Sequence, residues 1–218
     1  MTEMEAMRAR HSVRQYENRP LAKAQVTALQ QEIGACNALS GLHIQLVTDE
    51  PRAFSGLMAR YGKFSGVRNY IALVGKKGPG LDEACGYWGE KLVLTAQMLG
   101  LNTCWVALTY KKVPGAFAVD PDEKLALVIA LGYGATQGVP HKSRPAQVIS
   151  DLSPASPDWY RAGVEAALLA PTAMNQQKFT IAGDGEMVTI QAGRGAYSKV
   201  DLGIVKYHFE LGSGRKIQ

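Results

Sequence analysis

Apolar residues recur along this chain with two different periods, and the changes of period mark the elements. Spacings of three and four residues place side chains on one helical face. Met4 and Met7 keep such a spacing, as do Val26, Leu29 and Ile33. The first pair predicts a short opening helix running toward "RARHSVRQY". The second set predicts a helix with Pro20 at its first position, where a missing N–H costs nothing. "LHIQLVTD" then alternates, predicting a half-buried strand, and "NYIALVG" is an apolar run of strand length. "PRAFSGLMARYGKF" between them reads as a short helix and loop. "DEACGYWGEKLVLTAQMLG" is the strongest helical stretch, with Trp88, Leu92, Thr95 and Leu99 on one stripe and Gly100 placed to end it. "NTCWVAL" and "LALVIALGY" follow as two buried strands. This order predicts an α+β fold rather than strict βαβ winding.

Residues 133–158 are rich in Gly, Pro and Ser and form the one long irregular stretch, of the kind that is functional or a linker. The pattern then starts again. "DWYRAGVEAALLA" predicts a helix with Asp158 as N-cap. "APTAMNQQ" makes a corner, and "KFTIAGDGEMVTIQAG" reads as a hairpin turning at Asp184–Gly185. "SKVDLGIVKYHFELG" closes as a helix, with Ser198 and Asp201 as a capping box, Leu202, Val205 and Phe209 as its stripe and Gly212 as its stop. Helix, corner, strand and long helix thus occur twice, which predicts an internal duplication: a main half at 1–145 and a shortened second half at 146–218. A duplicated unit of this kind imitates a symmetric dimer within one chain.

Composition narrows the class. With 46% hydrophobic and 20% charged residues among 218, the chain has the make-up of a globular protein with a sizeable core. No window approaches a membrane span, and the opening residues lack a signal-peptide core, so a cytoplasmic protein without a membrane partner is expected. Cys36, Cys85 and Cys104 are widely spaced with no CxxC pair, the pattern of buried thiols in a reducing compartment. Net charge is +5, but no run of Lys or Arg exceeds two residues. A phosphorylated small molecule accounts for such scattered cations as well as nucleic acid does, and no zinc finger or RNP-type strand is present.

The chemistry-bearing residues fall in a few short stretches. In "RHSVRQY" an extended backbone puts Arg10, Ser12 and Arg14 on one side, alternating with His11 and Val13. Two guanidinium forks and a hydroxyl suit a phosphate dianion, although solvated charge at a helix end is the plainer alternative. "PHKSRP" adds Lys142 and Arg144 in a basic loop. Trp105 in "NTCWVAL" is either core or the wall of a site for a flat heterocycle. Thr172, Asn175, Gln176 and Gln177 exceed what a helix C-terminus needs for capping. The four histidines have no metal-ligand spacing, and GxSxG, P-loop and dinucleotide fingerprints are lacking. Ligand-holding parts without an acid–base or nucleophilic machine are what a protein shows when its cofactor does the chemistry.

Taken together and in order, "RHSVRQY", "NYIALVGKK", "GYWGEKLVLTAQMLGLNTCWVAL", "LALVIALGYG" with "HKSRP", and "APTAMNQQKF" resemble the FMN-dependent nitroreductase family. The resemblance implies an α/β/α sandwich with a central, mainly antiparallel sheet. In the common homodimeric members a "P-S-x-N-x-Q-P" type corner follows the first long helix and completes the partner's flavin site. Here that place holds "ACNALSG", and the pattern reappears at residues 170–177. This resembles a single-chain, internally duplicated branch of the family, monomeric as a pseudo-dimer or dimeric again. By the same resemblance Arg10, Ser12 and Arg14, with His11 in the same motif, contact the FMN phosphate and ribityl chain, and Lys142 and Arg144 clamp the phosphate. Cys104, Trp105, Val106 and Ala107 face the flavin N5 side. Pro171, Thr172 and Asn175 pack on the ring and bond its edge from the second half. Lys63 is the cation near the N1/C2 carbonyl, where positive charge favours the reduced ring. The implied reaction is ping-pong, from NAD(P)H to an electron-poor small-molecule acceptor such as a nitroaromatic or quinone. No protein group is assigned a covalent role. Three alternatives stay open at this point: a reductive dehalogenase or flavin-degrading enzyme of the same superfamily, a flavin-binding protein without turnover, and a basic nucleic-acid-binding protein.

Overall fold

The apolar runs pair into one antiparallel sheet in the computed structural model, which describes residues 1–183 and 187–217. Its strands are β1 (Gln45–Val47), β2 (Asn69–Lys76), β3 (Asn102–Val106) and β4 (Glu123–Gly132), in the order β1-β2-β4-β3. β2 and β4 lie at the centre, and the residues from Asn69 to Gly75 and from Leu127 to Gly132 are buried. Strands buried on both faces read as continuous apolar runs, which is why alternation marks only the edge strand β1. A register shift between Leu73 and Val74 interrupts the β2–β4 ladder.

The chain divides into two compact units. One comprises Ala9–Leu81 and Leu92–Pro140 and contains this sheet. Its opening segment runs extended: Ser12 bridges Thr103, Gln15 bridges Ser65 and Tyr16 bridges Gly134. Tyr16 is buried, and its hydroxyl donates to the Val13 carbonyl at 2.7 Å, which ties the segment to itself. Helix α2 (Lys23–Ser40) starts later than Pro20. Ala22 is its N-cap, and the Ala22 N–H donates to the Gln25 side chain at 3.1 Å, so the first turn forms where that acceptor stands. Leu29, Ile33 and Cys36 are its buried residues. A 3-10 turn (Pro51–Phe54) and the short helix α3 (Leu57–Tyr61) fill the β1–β2 connection. Helix α4 (Leu81–Met98) ends as the sequence indicates, with Gly100 at φ 76° donating to the Gln97 carbonyl. Its buried side is broader than the predicted stripe: Leu92, Val93, Leu94 and Ala96 are all fully buried.

The other unit comprises Met1–Arg8, Asp82–Lys91 and His141–Gln218. It holds α1 (Glu3–Ala9), a four-residue turn α5 (Ala146–Ile149), α6 (Asp158–Ala167), the antiparallel pair β5 (Phe179–Gly183) and β6 (Val188–Ala192), and α7 (Ser198–Ser213). The predicted turn of the β5–β6 hairpin, at Asp184–Gly185, lies outside the described residues. Three predicted caps differ. Pro157, not Asp158, caps α6: its carbonyl accepts from Tyr160 and Arg161, and Asp158 sits in the first turn, where its charge suits the helix dipole. Tyr197 in the left-handed region caps α7, and the Asp201 carboxylate is taken by tertiary partners instead of Ser198. Gly214, at φ 68°, ends that helix.

Gly212 is reserved for packing, because a Cβ there would lie 2.4 Å from the Ala166 Cβ. α7 is buried nearly all round, from Val200 to Val205 and from Tyr207 to Phe209, rather than along one stripe. It crosses the first part of α4 at two glycines: a Cβ on Gly86 or on Gly203 would meet a backbone carbonyl at 2.0 Å. Beside that crossing the fully buried His208 bonds the Ala166 carbonyl at 3.1 Å and Glu90 at 2.9 Å, a polar lock between α4, α6 and α7.

Candidate functional site

The extended "RHSVRQY" segment lies along β3 through the Ser12–Thr103 bridge and the Val13 N–H, which donates to the Thr103 carbonyl at 3.0 Å. That pairing turns Arg10, Ser12 and Arg14 toward Cys104. Burial pushes the Cys104 thiol up, and the Arg14 charge, a hydrogen bond with Ser12 and the Arg10 charge oppose it. The thiol therefore stays protonated near neutrality and is a packing group, not a nucleophile. His11 is half-buried, with its Cβ 2.8 Å from where a Cβ on Gly138 would stand; this close approach and φ 70° both require glycine at 138.

Arg10 is the anomaly of this segment. The residue is only 5% exposed, and its Nε is buried with no hydrogen-bond partner. No carboxylate pairs with it among the described residues. A buried guanidinium without a counter-charge is costly, by several kcal/mol in general, unless an anion completes it. Arg14, by contrast, is exposed, its guanidinium 5.9 Å from the centre of the Phe64 ring.

Arg14 also opens onto a cleft of about 440 Å³. Lys63 stands on its wall, with Trp105, Val106 and Ala107 from the end of β3. Five of the residues singled out from sequence thus share one cavity, and Tyr61, Phe64 and Thr109 join them. The wall around Lys63 is closely constructed. Lys63 adopts φ 60°, uncommon for a non-glycine residue. A Cβ on Gly62 would come within 2.7 Å of Thr109. The Phe64 N–H donates to the Ala59 carbonyl at 2.8 Å, and both residues are buried. Among the described residues no acidic side chain lines the cleft, and Arg14 and Lys63 give it a positive field.

The corner at 171–177 is built differently. Met174, Asn175 and Gln177 all have positive φ, 52°, 52° and 45°. Hydrogen bonds hold this strained path. Gln177, only 3% exposed, accepts from the Arg144 N–H at 2.8 Å and donates to the Lys142 carbonyl at 2.9 Å and to Asn175 Oδ1 at 2.8 Å. Asn175 Nδ2 donates to the same Lys142 carbonyl at 3.0 Å. Thr172 Oγ1 accepts from the Gln177 N–H at 3.1 Å. Asp201 accepts from the Ala173 N–H at 2.9 Å and from Gln176 Nε2 at 2.8 Å. Burial lifts the Asp201 carboxyl above its ordinary range, and the bonds from Ala173 and Gln176 pull it back.

The backbone of "HKSRP" is therefore fixed to the corner, with Lys142 and Arg144 exposed beside it. Pro171 and Thr172 are half-buried, and Met174 projects outward at 86% exposure. The central role of Gln177 was not legible: as one of four polar residues it gave no sign of being the buried one.

A third cluster lies apart from these. His43, Asp120 and Glu123 bring possible ligand atoms within 4.8 Å of one another. Glu123 Oε2 already accepts from the Asp120 N–H at 2.9 Å and is bonded to His43 Nδ1 at 2.9 Å, which ties the β1 edge to the start of β4.

Comparison with known proteins gives one consistent answer. The family model described as "Putative TM nitroreductase" matches residues 2–213. A putative nitroreductase of Thermotoga maritima MSB8 is similar in structure, with a TM-score of 0.70 and 25% identity over 97% of this chain and 83% of that one. A putative nitroreductase from Desulfovibrio desulfuricans, solved in complex with FMN, gives a TM-score of 0.55 at 21% identity over 72% of this chain and 99% of that one. A putative NADH dehydrogenase/NAD(P)H nitroreductase from Parabacteroides distasonis gives 0.52 at 22% identity over 67% and 95%. These two establish the shared fold. A search of curated proteins found no significant match. With the family match running almost end to end and the antiparallel sheet of the same fold, this chain belongs to the nitroreductase family that the model describes.

Proposed function

We propose that the protein is an FMN-dependent oxidoreductase that takes a hydride from NAD(P)H and reduces an electron-poor small molecule such as a nitroaromatic or quinone. The single observation that carries this reading is Arg10, a buried cation whose Nε lacks a partner, on the same extended segment as Arg14, which lines an open cleft whose described charged residues are both cations. A bound phosphate supplies the missing counter-charge, and FMN joins a phosphate to a flat ring. The chemistry that bound FMN supplies is hydride acceptance followed by two-electron reduction; for a nitroaromatic the balance is ArNO2 + NAD(P)H + H⁺ → ArNO + NAD(P)⁺ + H2O.

The chain's own groups bind and orient. Arg10, Ser12 and Arg14 hold the phosphate and ribityl oxygens by charge-assisted hydrogen bonds. The Cys104–Ala107 edge lies against the ring, and Lys63 places positive charge at its pyrimidine end. His11, Lys142, Arg144, Pro171 and Thr172 keep the roles that the resemblance implies. Asn175 has both side-chain polar atoms engaged within the corner, so its contribution is to shape rather than to a ring-edge bond. The repeated order of helix, corner, strand and long helix supports the reading of residues 146–218 as a shortened duplicate of 1–145. In this reading the protein works in the cytoplasm, as a monomer or homodimer.

The test is the visible spectrum of the purified protein, with identification of the released chromophore and an NAD(P)H oxidation assay. FMN at about one per chain, with NAD(P)H consumed in the presence of a nitroaromatic or quinone, is the expected result. A protein that is colourless and does not take up added FMN refutes it.

A further inference from the structure

A second cavity, of about 470 Å³, lies wholly within the unit that holds α6 and α7. It shares no described lining residue with the cleft, whose residues belong to the other unit. Its size falls within the range of small-molecule sites, roughly 300–1,000 Å³. Trp159 and the buried Phe209 supply aromatic surface, and Met187, Val188 and Ile217 add aliphatic surface. The β5 side of the cavity is firmly placed. A Cβ on Gly183 would lie 2.8 Å from the Tyr160 ring, and the Gly183 N–H donates to the Asp151 carboxylate at 3.0 Å.

Among the described lining residues three are charged, and two of these are matched within the protein. Asp151 accepts from the Tyr160 hydroxyl and from the Gly183 N–H. Lys216 donates to Glu210 at 2.6 Å and to the Tyr87 hydroxyl at 2.8 Å. Arg215 differs. Its guanidinium carbon lies 4.0 Å from the centre of the Trp159 ring, close enough to rest on the indole face. No carboxylate pairs with it among the described residues. Arg19, held as closely over Tyr133 at 3.9 Å, has the Glu17 carboxylate 4.0 Å away. Contact with a ring positions a guanidinium without using its N–H donors, and that fork matches a carboxylate bidentately.

We propose that this cavity is a second ligand site, which takes a small amphipathic carboxylate. The apolar chain packs against Trp159, Val188 and Ile217, and the carboxylate takes the unpaired fork of Arg215. Burial of the chain supplies most of the affinity, and the charged head decides which chain-bearing molecules are held. No residue of the cleft takes part, so this site does not depend on the flavin reading.

The experiment is a calorimetric titration of the full chain with sodium octanoate and, separately, with octanamide, which keeps the chain and loses the charge. Octanoate is expected to fill one site per chain with a Kd of about 0.1–1 mM, and octanamide to bind about tenfold more weakly. Arg215→Gln is expected to weaken octanoate about tenfold and to leave octanamide within about twofold, because only the head group loses its partner. Ala182→Phe, which fills the cavity from β5, is expected to weaken both ligands about tenfold. Both changes lie at exposed positions, and circular dichroism checks that each variant is folded. Absence of saturable octanoate binding to the wild type overturns the proposal. So does equal affinity for the two ligands, or an Arg215→Gln protein that binds octanoate as the wild type does.

Discussion

The cleft and the corner use their polar side chains in opposite ways. Arg14 and Lys63 in the cleft, and Arg10 on the segment that carries Arg14, have no counter-charge among the described residues. In the corner, Thr172, Asn175, Gln176 and Gln177 all bond to the protein itself. Both regions offered ligand-holding side chains in sequence: cations that suit a phosphate in one, amides and a hydroxyl beyond the needs of capping in the other. The difference teaches that polar richness alone does not mark a binding surface. One region presents unsatisfied groups, which favour an external partner. The other satisfies its own, which favours a fixed shape.

Removing the buried hub of the corner has the largest expected effect. Gln177→Ala leaves the Arg144 N–H and Asn175 Oδ1 without partners and takes one donor from the Lys142 carbonyl. A loss of roughly 2–3 kcal/mol in urea unfolding is expected, at about 1 kcal/mol for each bond. A Gln177→Ala protein as stable as the wild type would mean that the corner is not self-supporting.

Arg10→Met has the opposite sign. It takes away a buried side chain whose Nε has no partner. Without FMN the variant should be more stable than the wild type by about 1–2 kcal/mol, within the range seen when buried charges give way to apolar groups. FMN binding should fall at the same time, read by fluorescence titration. If the ligand-free variant is less stable, Arg10 has a structural role and the contrast between the regions is weaker.

The smallest expected effect is the pH dependence of the corner. Burial raises the Asp201 carboxyl above its ordinary value of 3.8. The folded state therefore holds this proton more tightly than the unfolded state does. The stability this contributes is fully present below 3.8 and is lost as pH rises through the folded value. Compared with Asp201→Asn, the wild type should gain relative stability as pH is lowered toward 4, measured by thermal melts across the acid range. A stability difference independent of pH would show that the carboxylate is effectively solvated.

How far the sequence could be read depended on how local the cause was. The strands at 69–76 and 123–132 and the end of α4 at Gly100 were legible, because apolar runs and a positive-φ glycine act within a few residues. Pro20 misled as a first helical residue, and Asp158 and Ser198 misled as N-caps, each lying one residue inside its helix. Ala22 found its acceptor in Gln25, Pro157 and Tyr197 turned the chain first, and Asp201 was drawn to Ala173 and Gln176. Nothing local announces that Gly86 and Gly203 must be small, since the requirement comes from a backbone carbonyl on the facing helix.

Element order is legible along the chain because periodicity acts within a few residues, while the family, and with it the antiparallel sheet, follows from the motifs read in series. Which polar groups are free to act is settled by the fold. Whether Arg10 has a counter-charge, whether Gln177 is buried, and whether Arg215 meets a carboxylate all depend on what distant segments bring beside them. A residue's type fixes which bonds it can make; its surroundings in the folded chain fix which of them remain to be made with a ligand.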